Sequence, residues 1–278
     1  MRELRDRVAV VTGAGSGIGR ALSEVLAEAG MHVVAADLDL ADAEAAAEAV
    51  RARERRGLAV EVDVTDRGAV EELARRSYEA FGACHLLCNN AGVLVMGTAL
   101  APVPEQWDWV VDVNLRGVLH GVQCFVPRML AQGGPAHIVN TASMAGLAPS
   151  PRVAAYTASK YAVVGFSECL RIDLEEHGIG VSVVCPGGVK SRLFEGRHRP
   201  SDAPVLSSDD LAAVARAGSP DSAVLIDPER VARAVLDGVR DGDLYIVTHP
   251  QMRDQVEARC RDLLAAFDKA AARQDAPA

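Results

Sequence analysis

Aromatic side chains are scarce in this chain, which has two Trp, four Tyr and five Phe among 278 residues. So few rings leave little on which bases could stack. Basic residues are outnumbered as well, 29 Lys and Arg against 38 Asp and Glu. The net charge of −9 repels phosphate backbones and anionic lipid, so neither nucleic acid nor a membrane surface is expected as a partner. No apolar run approaches the roughly 20 residues of a membrane-spanning helix. The charged start, Met1 to Arg7, leads straight into Val8–Val11, too short for a secretory core, and a cytoplasmic location is expected. The six cysteines contain no C-x-x-C pair and the seven histidines no H-E-x-x-H. Five of the cysteines sit in apolar stretches and read as buried, reduced thiols, and no metal site is expected.

What is present is 49% hydrophobic residues, enough for a large core. Short apolar runs fall at residues 7–11, 32–36, 59–62, 85–88, 136–140, 181–185 and 244–247, with helical patterns between them. Several runs lack polar alternation, as strands covered on both faces do. The expectation is an α/β fold: a doubly wound, seven-stranded parallel sheet of the Rossmann type, flanked by helices on both faces, in one domain over residues 1–278. Long helices are expected over about 105–132 and 155–177. Residues 188–226, rich in Pro, Ser, Asp and Arg, break the rhythm and read as a lid over the substrate. Residues 250–278 read as a helical extension, helical from Gln251 to about Ala272.

The first run enters a glycine loop, Thr12-Gly13-Ala14-Gly15-Ser16-Gly17-Ile18-Gly19. It fits G-x-x-x-G-x-G rather than strict G-x-G-x-x-G, because Ile18 stands at the third glycine of the latter. Glycine allows a sharp turn and the approach of a pyrophosphate, and the free N–H groups of the helix start then bind the anion. The second run ends Ala36-Asp37-Leu38-Asp39. Asp37, 18 residues past Gly19, can accept both hydroxyls of an adenosine ribose and would repel a 2′-phosphate. Ser16 precedes Gly17, and no Arg or Lys follows Asp37 in that turn, so NAD is expected over NADP. Asp39 reads as the cap of the next helix.

Tyr156-Thr157-Ala158-Ser159-Lys160 opens a helical pattern. Spacing i, i+4 puts the phenol and the ammonium on one face, about 6 Å apart along the axis. The ammonium favours the phenolate and lowers its pKa from about 10, so the tyrosine can exchange a proton with an alcohol or ketone near neutral pH. Ser143 ends the run Ile138–Ser143, thirteen residues upstream, and can hold the substrate oxygen. Asn89-Asn90-Ala91-Gly92 ends the fourth run on the same edge. Asn114 falls inside the long helix that follows, where a buried amide needs a water or backbone partner.

Together these residues resemble the short-chain dehydrogenase/reductase family, in its short, single-domain, NAD-preferring branch. The similarity covers roughly residues 5–248. It rests on the glycine loop, Asp63 in Val62-Asp63-Val64, the motif 89–92, Asn114, Ser143, Tyr156, Lys160 and Pro186-Gly187-Gly188-Val189-Lys190-Ser191, with Ser191 where threonine is usual. The resemblance implies that Tyr156 is the general acid/base, that Lys160 lowers its pKa and binds the nicotinamide ribose, that Ser143 orients the substrate oxygen and that Asn114 holds a water linking Lys160 to solvent. It implies a cofactor site of Gly13, Ser16, Gly17, Ile18, Gly19, Asp37, Leu38, Asp63, Val64, Asn90, Ala91, Gly92, Tyr156, Lys160, Pro186, Gly187, Val189 and Ser191. It also implies a homodimer or homotetramer, paired through the two long helices.

Loops aimed at the site carry Val93, Leu94, Val95, Met96, Met144, Leu147, Leu193 and Phe194. This apolar set suggests a hydrophobic secondary alcohol or ketone as substrate. Arg192, Arg197, His198 and Arg199 read as solvated lid charges. An NADP-dependent carbonyl reductase and a catalytically silent NAD-binding regulator are the alternative readings.

Overall fold

Val8 to Val11 offer apolar side chains to both faces, and such a strand needs a layer on each side. They form β1 (Val8–Thr12), buried along its length. The computed structural model describes residues 1–97, 99–100, 103–194 and 225–274. Beside β1 lie β2 (His32–Asp37), β3 (Gly57–Glu61), β4 (Leu86–Asn89), β5 (Ala136–Thr141), β6 (Ile179–Cys185) and β7 (Tyr245–Val247). The order is β3-β2-β1-β4-β5-β6-β7, with every pair parallel. This is the doubly wound, seven-stranded Rossmann-type sheet expected from the run pattern. Strand bounds move by one to a few residues; β3, for example, begins at Gly57 rather than Ala59.

The connecting helices are α1 (Gly17–Glu28), α2 (Leu40–Arg51), α3 (Arg67–Phe81), α4 (Pro104–Val111), α5 (Gly117–Gln132), α6 (Ala154–Leu174) and α7 (Pro228–Asp241); α8 (Arg253–Gln274) follows β7. Alternate strand residues face opposite layers. Ala9, Val11, Val33 and Leu86 pack with Leu22, Leu26, Ala46, Val231 and Val235 of α1, α2 and α7. Val10, Val34, Leu87 and Ile138 pack with Leu73, Phe125, Met129 and Leu170 of α3, α5 and α6. Asp39 caps α2 by accepting the N–H groups of Ala41 and Asp42, as expected.

Four expectations need correction or limits. The helix over 105–132 is not continuous: a wide π-turn, Asp112–Arg116, separates α4 from α5. Of the five cysteines read as buried, Cys169 is exposed, because it falls on the outer face of α6; Cys260 is exposed on α8. The C-terminal helix begins at Arg253 and none of its residues is buried, leaving Leu263, Leu264 and Phe267 exposed. The lid expected over 188–226 lies mostly outside the described residues. Its two feet are inside them and are joined by a bridge between Val189 and Ile226, in which Lys190 N–H donates to Ile226 O and Ile226 N–H to Gly188 O. No helix of the described residues is long and apolar enough to cross a membrane.

Candidate active site

The chain winds outward from β1 to β3 and then crosses back to β4. The crevice at the C-terminal ends of β1 and β4 is therefore the topological switch point, where open α/β sheets bind ligands. Thr12 and Asn90 stitch its two sides together. The Thr12 hydroxyl accepts the N–H groups of Asn90 (3.0 Å) and Ala91 (3.1 Å), and Asn90 Nδ2 donates to Thr12 O at 3.0 Å.

The glycine loop lies in this crevice. A Cβ on Gly13 would stand 2.8 Å from Ala91 Cα, and one on Gly19 would collide with Gly13 O. No residue but glycine lets the loop pack this closely against the 89–92 motif. Ser16 precedes α1 without capping it through its side chain, so the helix start presents uncapped N–H groups to an anion. This cradle fits a dinucleotide pyrophosphate. Asp37 stands at the end of β2, where its Oδ2 accepts Gly15 N–H at 2.8 Å and its Oδ1 accepts Asp39 N–H at 3.2 Å. One carboxylate so held still has lone pairs for further donors. Leu38 beside it is exposed. Asp63 shapes the turn after β3 by accepting the N–H and hydroxyl of Thr65, and Val64 is buried against Gly117.

The reaction centre assembles from α6, the end of β5 and the wide turn between α4 and α5. Asn89 Nδ2 donates to Asn140 Oδ1 (2.9 Å) and Asn140 Nδ2 to Ser167 Oγ (3.0 Å), a buried chain that fixes α6 against β4 and β5. Tyr156, in the first turn of α6, is buried, with the Ser143 hydroxyl near enough to favour its phenolate. Ser143 Oγ also accepts Ala145 N–H at 3.1 Å and donates to Pro186 O at 3.3 Å. Lys160 is 2% exposed; its Nζ donates to Thr141 O at 2.8 Å and lies 5.5 Å from the centroid of the Tyr156 ring. A Cβ on Gly92 would stand 3.6 Å from that Nζ.

Burial governs both titrations. It pushes the Lys160 ammonium down to about 8. It raises the Tyr156 phenol above its ordinary value, with the Ser143 hydrogen bond opposing. In the chain alone the loss of water around the phenolate is the largest influence on Tyr156, and Lys160 is not among the groups that shift it.

Asn114 occupies the π-turn, a distortion frequent at functional sites. Its amide is fully buried and bonded to protein. Oδ1 accepts Val93 N–H at 2.8 Å, and Nδ2 donates to Val93 O at 2.9 Å and Ser159 Oγ at 3.1 Å. A water or a backbone partner was expected, and the Val93 backbone is one.

Residues 7–201 match the family model described as short chain dehydrogenase. The chain belongs to that family. It is 36% identical over 266 residues to a C alpha-dehydrogenase of Sphingobium sp., covering 92% of this chain and 85% of that one. It is 41% identical over 216 residues to a 1-deoxy-11-beta-hydroxypentalenate dehydrogenase of Streptomyces exfoliatus, covering 76% and 78%. A short chain dehydrogenase/reductase of Burkholderia phymatum, solved in complex with NAD, superposes with a TM-score of 0.88 at 38% identity, over 96% of this chain and 97% of that one. This short-chain dehydrogenase is thus an oxidoreductase.

Not every expected wall residue of this short-chain dehydrogenase meets Tyr156. Leu94, Met96 and Leu193 do, together with Val153 and Ala145. Val93 and Val95 turn instead towards Trp107 and Val110, and Met144 and Leu147 pack behind the site with Val163 and Cys185. The Phe194 side chain and Arg197, His198 and Arg199 lie outside the described residues. Arg192 is not a solvated charge: it donates to Gly15 O and pairs with Asp42.

One site residue escaped sequence reasoning. His249, just past β7, is fully buried beneath the Pro186-Gly187-Gly188 turn. Gly187 N–H donates to its Nδ1 at 2.9 Å, so the ring proton sits on Nε2, 3.1 Å from Gly188 O. Only its position at the C-terminal edge of the last strand could have flagged it. His249→Ala removes these bonds, together with the one between Nδ1 and the Thr248 hydroxyl, and leaves a cavity. Urea unfolding is expected to show a loss of about 3 kcal/mol; a loss below about 1 kcal/mol would show that the turn holds itself.

Proposed function

We propose that this protein transfers a hydride between NAD(H) and a neutral, hydrophobic secondary alcohol or ketone. The observation that carries the reading is the buried Tyr156 ring, with the buried Lys160 ammonium 5.5 Å from its centroid and Ser143 beside it, at the end of the glycine-lined groove. When bound, the nicotinamide supplies or accepts the hydride. Ser143 holds the substrate oxygen beside Tyr156. In the ketone direction Tyr156 donates its proton to that oxygen; in the alcohol direction its phenolate takes the hydroxyl proton. Lys160 stabilises the phenolate, and Asn114 keeps the Gly92–Val93 backbone against α6. Gly13, Ser16, Gly17, Ile18 and Gly19 take the pyrophosphate, Asp63 and Val64 the adenine, and Asn90 to Gly92 with Pro186, Gly187, Val189 and Ser191 the nicotinamide half.

Several observations support these choices. The burial that raises the Tyr156 phenol keeps it protonated at neutral pH, as a donor to a ketone must be. Alcohol oxidation should accordingly accelerate as pH rises into the alkaline range, while ketone reduction does not; parallel initial-rate profiles check this. Asp37 at the end of β2 suits a ribose with free hydroxyls, and a solved relative holds NAD. The wall beside Tyr156 carries Leu94, Met96, Val153 and Leu193, and two relatives are named as dehydrogenases.

NAD should bind more tightly than NADP, and Asp37→Ala should weaken NAD and improve NADP. Tighter binding of NADP by the wild type would favour the carbonyl-reductase reading. NADH binding without turnover across a panel of secondary alcohols and ketones would favour the silent regulator. Leu130 on α5 and Ile172 on α6 stay exposed, which supports pairing of these helices with a second copy. A monomer in light scattering at micromolar concentration would refute the expected dimer or tetramer.

A further inference from the structure

Arg192 follows the Pro-Gly turn directly, yet its side chain points away from the reaction centre. Its Nη2 donates to Gly15 O at 2.9 Å, across 177 residues of sequence. Its Nη1 lies 3.0 Å from Asp42 Oδ2 in the first turn of α2, with both side chains 30% exposed. Gly15 is also the residue whose N–H binds Asp37, and a Cβ on it would stand 2.5 Å from Asp42 Cβ. Gly15, Asp37, Asp42 and Arg192 are therefore one cluster at the ribose end of the groove. One residue back, Ser191 lies over Gly17, whose Cβ would stand 2.9 Å from Ser191 Cβ. The backbone from Ser191 to Arg192 thus crosses the glycine loop from the Pro-Gly side to the Asp37 side.

We propose that Arg192 is a positioning residue for the dinucleotide, fastening the Ser191–Leu193 turn across the groove and slowing the departure of bound NAD(H). The inference rests on the NAD reading above. Three features carry it. The planar guanidinium binds a carbonyl and a carboxylate at once, which the point charge of a lysine cannot do with the same geometry. Both bonds are charge-assisted and partly shielded, so they are stronger than those of a fully exposed pair. The cluster holds two carboxylates against one guanidinium, and the guanidinium is engaged by Asp42. Asp37 is left to the ribose, and the cluster stays unfavourable to a 2′-phosphate.

The test is the rate of NADH release, followed by stopped-flow fluorescence on the intact protein. R192A should release NADH about tenfold faster, with association little changed, since most binding differences between variants lie in dissociation. D42N removes the other end of the same bridge and should speed release to a similar degree. R192A/D42N should add nothing further, because the two residues act as one unit. R192K should fall between R192A and the wild type. Added salt should speed release from the wild type more than from R192A.

Unchanged release from R192A, with normal binding by the wild type, overturns the inference alone. Slower release from D42N overturns it too, because Arg192 would then be gripping the phosphates itself. Faster association with tighter binding in R192A would make the residue an obstacle and likewise overturn it. Failure of the wild type to bind NADH overturns the NAD reading, and this inference with it. Thermal unfolding of the unliganded variants separates a damaged fold from a lost bridge, and D42N provides the second route should R192A not fold.

Discussion

Tyr156→Phe is expected to reduce turnover by about 10²–10⁴-fold, the range typical of a lost general acid/base. The ring is buried among Leu94, Val153, Met96 and Leu193, and phenylalanine keeps all of that packing. What disappears is one oxygen beside Ser143, with its transferable proton. Because the hydroxyl is buried, its removal leaves the Ser143 hydroxyl with Pro186 O as acceptor and Ala145 N–H as donor, so no polar group is stranded. The variant should therefore fold as the wild type does and bind NADH with similar affinity. Its loss should fall on kcat, since the proton is exchanged only on the way to the transition state. Turnover within a few-fold of the wild type would remove Tyr156 from the chemistry. A comparable loss in NADH affinity would instead make it a binding residue.

The sheet was legible because parallel strands covered on both faces need near-continuous apolar runs, and Val8–Val11, Leu86–Cys88 and, but for Ser182, Val181–Cys185 meet that need openly. The glycine loop and the Tyr156–Lys160 pair were legible for a similar reason: their chemistry requires particular residues at fixed local spacing. Residues that act through distant backbone left no such trace. His249 meets Gly187 across 62 residues, and Arg192 meets Gly15 across 177. Nothing local distinguishes either from a core histidine or a solvated arginine. The π-turn at Asn114 was hidden as well, since Val110, Asn114 and Val118 fit an uninterrupted helix; its cause is the grip of the amide on Val93, 21 residues away. The depth at which the Tyr156 phenol sits was hidden too, since spacing reports the neighbouring charge but not burial, which raises the phenol in the chain alone.

Lys160→Met should lower the rate by about 10²-fold, as loss of a preorganised charge at a reaction centre does, and yet should stabilise the unliganded fold near neutral pH. The ammonium is 2% exposed, and among the described residues its one hydrogen bond goes to Thr141 O, with no carboxylate paired to it. Its pKa falls from 10.5 to about 8 because burial disfavours the charged form. Below about pH 8 the native state carries that buried charge and its full desolvation cost. Between about 8 and 10.5 the unfolded chain holds more protons than the native one, so this group's contribution to stability improves as pH rises. The stability gained by Lys160→Met over the wild type should therefore be largest at pH 7 and shrink steadily towards pH 10. Subtracting the two denaturation curves at each pH cancels the buried thiols other than Cys185, whose pKa Lys160 itself lowers. A gain that stays constant with pH would mean that methionine merely packs better. A loss at pH 7 would mean that the bond to Thr141 O outweighs the cost of burying the charge. Retention of full activity would show that the ammonium beside Tyr156 is a structural strut and no part of the proton chemistry.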